Sequence, residues 1–98
     1  MNVQGENVCR FTGNLFEYSV RTVGDGYKLG KGKLFLPSEP GSAAGQTIKV
    51  TAWGEVAESL ELLPEGASIM ILSSYTPSVY RNTLYDDFTV WSFRWYKG

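Results

Sequence analysis

The sequence predicts an all-β domain, and three observations carry that prediction. Apolar and polar residues alternate over successive short runs, the pattern of half-buried strands. Glycine- and proline-rich turn signals separate those runs. A single stretch, Gly54 to Leu63, departs from alternation and spaces its apolar residues as a helix does. With 98 residues the chain reads as one domain over 1–98, and a hydrophobic content of 43% with 14% aromatics supplies a packed core.

The first run, Val8-Cys9-Arg10-Phe11-Thr12-Gly13-Asn14-Leu15, puts Cys9, Phe11, Gly13 and Leu15 on one side. It continues through Tyr18 to Val23 as one long strand, with Gly13 placed to let it bend. Gly24-Asp25-Gly26 supplies a turn that needs positive φ. The second strand, Tyr27 to Leu36, completes a hairpin, with Leu34 and Leu36 on one face and Lys31, Lys33 and Phe35 on the other. Pro37 to Gly45, rich in proline, glycine, serine and alanine, reads as the longest loop.

Thr47 to Trp53 is the cleanest strand: Ile48, Val50 and Ala52 point inward, Thr47, Lys49, Thr51 and Trp53 outward. In the helix that follows, Val56, Ala57, Leu60 and Leu63 form the apolar face, and Pro64 and Gly66 end it. Ala67 to Ser74 is a fourth strand with Ile69 and Ile71 inward. A turn-rich connection from Thr76 to Asp87 leads to a last strand, Phe88 to Tyr96. Three strands, a helix, then two strands is the order of a five-stranded Greek-key barrel, the OB-fold, with one short helix between strands three and four.

Residue usage removes whole classes of chemistry. One cysteine, Cys9, and no histidine exclude a disulfide framework, the usual Cys/His zinc sites and any Ser-His-Asp or Cys-His pair. Asp86-Asp87 is a carboxylate pair with no third ligand nearby in sequence. The expectation is therefore a protein with no enzymatic activity, cofactor, metal or small-molecule substrate. No run approaches 18 apolar residues and no basic-then-apolar leader opens the chain, so a cytoplasmic location without a membrane partner is expected. Net charge is −1, but Glu55, Glu58, Glu61 and Glu65 fall in one short stretch. Without them nine basic and six acidic residues remain, which is compatible with a basic face elsewhere.

Three blocks resemble a known family. Asn7 to Leu15, a hydrophobic run ending in Gly13-Asn14-Leu15, is similar to the first-strand signature of bacterial single-stranded DNA-binding proteins. Thr47 to Glu58 resembles their third strand, in which alternating apolar residues lead to an aromatic, a glycine and a helix with an Ala-Glu pair. Leu63 to Ile71 is similar to their Leu-x-Lys-Gly-x-x-Val-x-Ile lead-in to strand four. The departures are the aromatic-His-Arg opening of strand three, here Thr47-Ile48-Lys49, and a connection after strand four in which Arg81 is the only basic residue. With Trp95-Tyr96-Lys97-Gly98 following the last strand directly, the expectation is a minimal form without the family's acidic-tipped tail.

Binding of single strands combines a basic groove along the phosphates with aromatic faces that stack bases. Trp53 is the first stacking candidate, matching the family's aromatic before Gly54; packing beneath the helix start is its other reading. Tyr80 lies where the resemblance places a stacking aromatic in the hairpin after strand four, with a turn anchor as the other reading. Phe35 shares a face with Lys31 and Lys33 and could stack a base, close the barrel end or fill an interface. Lys28, Lys31, Lys33 and Lys49 are the phosphate candidates, Lys49 first among them, with Thr51 beside it. Arg10, Arg21 and Arg81 are weaker candidates, and Arg94 reads as an ion-pair residue. Trp91, Phe93 and Trp95 alternate, which suggests one aromatic face given to core or interface.

The expected function is binding of single-stranded DNA, with RNA open as an alternative, without strong sequence preference, in replication, recombination or repair. The rival is an OB-fold interaction subunit of a primosomal or other complex. A homo-oligomer, a dimer or tetramer, is also expected. Relatives pair through the first strand and its edges, and Met70 and Leu72 face away from Ile69 and Ile71, leaving an apolar patch for a partner to cover.

Overall fold

The computed structural model describes residues 8–37, 45–75 and 77–96. The chain forms β1 (Val8–Val23), β2 (Tyr27–Leu36), β3 (Gln46–Trp53), α1 (Gly54–Glu61), β4 (Ala67–Tyr75), β5 (Ser78–Tyr80), β6 (Thr83–Tyr85) and β7 (Phe88–Trp95). Five of these strands close a barrel in the order β1-β2-β3-β7-β4. β1 reaches both neighbours because it is long: its first half pairs with β4 and its second with β2. Every barrel pairing is antiparallel except β3 with β7, which is parallel and held by two rungs, Val50 with Phe88 and Thr51 with Thr89. With α1 between β3 and β4, this is the OB-fold.

Alternation along each strand fills the interior. Leu34, Ile48, Val50, Ala52, Ile69, Ile71 and Val90 are buried, and α1 adds Ala57 and Leu60 across one end. Val56 and Leu63 pack against the rim of this core. The helix ends at Glu61, earlier than its apolar spacing suggests, since Leu62 and Leu63 turn their N–H groups to the carbonyls of Ser59 and Leu60. That tighter turn delivers the chain to Pro64, which cannot continue a helix. The glycine turn is as expected, with Gly24 at φ 53° and Gly26 at φ 103°. Most of the expected Pro37–Gly45 loop lies outside the described residues.

Four expectations are corrected. The irregularity in β1 lies between Phe16 and Ser19, where its register with β2 shifts, while its pairing with β4 runs through Gly13 without a shift. Glu17 takes φ 54° there, and its N–H donates to the Glu65 carboxylate at 3.2 Å. Gly13 serves close approach instead: a Cβ on it would lie 2.2 Å from the Phe35 carbonyl oxygen. The connection after β4 carries its own hairpin, β5–β6, turned by Arg81 at φ 52° and Asn82 at φ 63°. Two consecutive left-handed residues make the type I′ turn that matches strand twist.

The aromatics of β7 do not share one face. The β4 register passes from Leu72–Ser92 to Ser73–Val90, which leaves Trp91 as the extra residue of a β-bulge. Val90 and Phe93 both pack inward, while Trp91 stands 50% exposed. Met70 and Leu72 lie on the outer face as expected but are half-buried, not open to solvent.

Tyr18 occupies the space that two glycines leave. A Cβ on Gly30 would meet its hydroxyl at 1.9 Å, and one on Gly32 would meet its ring and backbone at 2.9–3.0 Å. The hydroxyl donates to the Ala57 carbonyl at 2.8 Å, tying β1 to α1. Burial, with Glu61 adding negative charge, pushes the Tyr18 phenol up to about 12. The fold therefore holds this proton more tightly than the unfolded chain does. Tyr18's contribution is complete below about pH 10 and is lost as pH rises toward 12. Tyr18→Phe should cost about 1 kcal/mol at neutral pH and flatten the alkaline limb of the stability curve; urea melts from pH 7 to 11.5 check both.

Candidate nucleic-acid interface

Cross-strand neighbours form rows on the outer face of β1, β2 and β3. Asn14, Phe35 and Thr47 make one row; Phe16, Lys33 and Lys49 the next; Ser19, Lys31 and Thr51 the third; Arg21, Leu29 and Trp53 the last. Rows lie two residues apart along β2 and β3, roughly 6.6 Å, while on β1 the bulge puts three residues between Phe16 and Ser19. Above the middle rows runs an open groove of about 510 Å³, floored by the β2 and β3 lysines and walled by Tyr85, Asp86 and Asp87. A second hollow of about 320 Å³ continues it toward Thr47, Leu84 and Phe88, and Lys49, Tyr85 and Asp86 line both.

Lys33 and Lys49 are direct cross-strand partners, an arrangement in which like charges repel. Glu17 relieves it from one side, at 3.2 Å from the Lys33 ammonium. An anion lying along the groove would relieve it from above. The acidic side of the groove is tied into the structure. Thr51 donates its hydroxyl to the Asp87 carboxylate at 2.9 Å, and Tyr75 donates to Asp86. The hydrogen bond to Asp86 raises the Tyr75 phenol above its ordinary range, with desolvation adding to it. Asp86-Asp87 thus pins the base of the β5–β6 hairpin to the barrel, a role that sequence pattern gave no sign of.

The structure gathers Lys31, Lys33, Lys49 and Thr51 around one groove. Thr51 sits on the outer face but is only 5% exposed, because Asp87 covers it, so its hydroxyl is committed to the fold. Phe35 lies at the β2 end of the face, 39% exposed, and Trp53 at the opposite end, 49% exposed beside buried Leu29. Tyr80 and Arg81 stand apart on the hairpin tip, where the guanidinium lies 5.1 Å over the Tyr80 ring. Lys28 does not join the groove. It has the opposite strand parity to Lys31 and Lys33, and its ammonium donates to Thr22 at 2.9 Å. Arg94 lies exposed across from Met70. Sequence reasoning missed Glu17, Tyr85 and Leu84, since groove walls come from a bulge and a hairpin that alternation alone does not reveal.

An open groove across the outer face of the barrel, with Lys31, Lys33 and Lys49 on its floor and Glu17, Asp86 and Asp87 along its sides, defines the class: an OB-fold with a charged groove, on a face that also carries the exposed rings of Phe35 and Trp53. Among solved structures the chain is similar to the priB protein from Ralstonia solanacearum, with a TM-score of 0.74 at 15% identity over 92% of this chain and 98% of that one. It is likewise similar to the single-stranded DNA binding protein from Thermus aquaticus. The wild type gives a TM-score of 0.79 at 17% identity over all of this chain, and a deletion mutant gives 0.80. The chain spans 44% of that Thermus protein's length. Identities this low establish the fold that is shared. No protein-family model and no curated protein matches the sequence. Among the described residues no helix is long and apolar enough to cross a membrane.

Proposed function

We propose that this protein binds single-stranded DNA without strong sequence preference, in replication, recombination or repair, and performs no chemistry on it. The observation that carries the reading is the Lys33–Lys49 pair, with Lys31 one row away, on the floor of an open groove, on a face that also carries the exposed rings of Phe35 and Trp53. Phosphates would lie over these lysines, releasing counterions, and bases would stack on Trp53, Phe35 and the hairpin's Tyr80. Arg81 and Lys28 are peripheral, adding charge near the strand without lining the groove. Titration of oligo-dT, followed by tryptophan emission at several salt concentrations, tests the reading. Salt-dependent binding at micromolar protein is expected, an oligo-U competitor reports RNA preference, and no binding under any salt condition refutes it.

The rival, an interaction subunit, draws on a specific feature: Val79 and Leu84 are cross-strand partners on the hairpin, 70% and 61% exposed. The same titration separates the two readings. Assembly into a homo-oligomer accompanies the proposal, because linked copies raise avidity for one strand through effective concentration. Light scattering reads it directly, and a mass of one chain, 10.9 kDa, would refute it.

A further inference from the structure

Trp91 has no part in the groove, and its setting is unusual. Regular alternation back from inward Phe93 would send the side chain at position 91 into the core. The bulge breaks that alternation: Val90 takes the inward place and the Trp91 indole is turned out, half exposed. Bulges re-aim side chains in this way, often beside functional sites.

The parallel register says where the ring is turned. Thr51 of β3 lies beside Thr89 of β7, and two residues further along each strand come Trp53 and Trp91. Both lie on the outer face just past the last rung of that ladder, 49% and 50% exposed. The ladder stops at Thr51–Thr89, and β3 gives way to α1 after Trp53. The two strands are thus free to part where the indoles stand. On the far side of Trp53, Leu29 is only 7% exposed, which makes an apolar floor. One row back lies Lys31, at the end of the lysine groove.

We propose that Trp53 and Trp91 form a two-indole station, continuous with the lysine groove, that takes the bases of the strand whose phosphates lie on the lysines. The proposal rests on the binding function above and extends its path from β3 onto β7. The occupant is fixed by chemistry: two flat apolar faces beside a row of cations suit a polyanion carrying flat, uncharged rings at short intervals. Stacking tolerates any base, since every base has a π-face.

The test leaves Trp91 as the only indole, through Trp53→Phe with Trp95→Phe, each keeping an aromatic ring in place. Titration with oligo-dT should quench Trp91 emission with the midpoint seen by anisotropy of a labelled strand. An abasic strand of equal length should bind without quenching. In the otherwise unaltered protein, Trp91→Ala should weaken oligo-dT binding by about tenfold and leave the slope against log salt unchanged. As Trp91 is half exposed, circular dichroism should show that variant folded, and Trp91→Phe should recover most of the affinity. If the unaltered protein binds but Trp91 stays silent and Trp91→Ala binds equally well, the station is refuted and the groove stands. A concentration-dependent blue shift of Trp91 without oligonucleotide, indicating burial between copies, refutes it as well. Absence of binding by the unaltered protein defeats the groove reading itself, an outcome seen before any variant is made.

Discussion

Lys31→Ala, Lys33→Ala and Lys49→Ala combined should lower the slope of log affinity against log salt by about 2 units. Each phosphate contact on a single strand contributes about 0.7. The fold should be unaffected, since all three side chains are exposed and the change removes a repulsive cross-strand pair. Trp53→Ala should behave differently in kind. It removes a stacking face worth about 1–3 kcal/mol and no charge, so affinity falls equally at every salt concentration. Within the triple, Lys33 should matter less than Lys49, because Glu17 already holds its ammonium. Parallel salt titrations of the variants decide the matter. Equal, salt-independent losses for lysine and tryptophan variants would contradict the division of labour.

Gly13→Ala should produce the largest loss of stability. A methyl group there would stand 2.2 Å from the Phe35 carbonyl oxygen and 3.1 Å from the Leu36 side chain. The first contact is backbone, which cannot swing aside as a side-chain tip can. β1 and β2 would have to separate where the barrel turns from its β4 pairing to its β2 pairing. Overpacking of this kind costs about 3 kcal/mol or more, a fall in Tm of roughly 10–20 °C for a domain this size. Gly24→Ala is the control. It is strained by φ 53° but meets nothing within 4 Å, so its cost should stay near 1–2 kcal/mol. Thermal melts that rank the two equally would show that close approach is not what Gly13 provides.

The fold was largely legible because alternation is a direct readout of a two-sided sheet. Ile48, Val50 and Ala52 are buried as their period of two requires, and Ala57 with Leu60 as helical spacing requires. What stayed hidden was where alternation breaks. Glu17 and Trp91 sit at bulges, and a one-residue insertion moves every later side chain to the other face without altering composition. Site residues follow the same division. Lys31, Lys33 and Lys49 could be placed on one face by parity, and parity also separates Lys28 from them. The burial of Thr51 could not be read, because Asp87 is brought to it from 36 positions further along the chain.

The two rungs between β3 and β7 have a consequence for synthesis. Until β7 has been made, β3 and β4 are both open edges of an unfinished sheet, and the apolar inner faces of β1 to β4 have no lid on that side. Closure is then a late, long-range event, joining the last barrel strand to residues made far earlier, and such pairings form slowly. Until that step a growing chain carries exposed strand edges, a state prone to edge-to-edge association. Once β7 docks, both edges disappear in a single step, so protection from edge-to-edge association rests on the same few residues around Thr89.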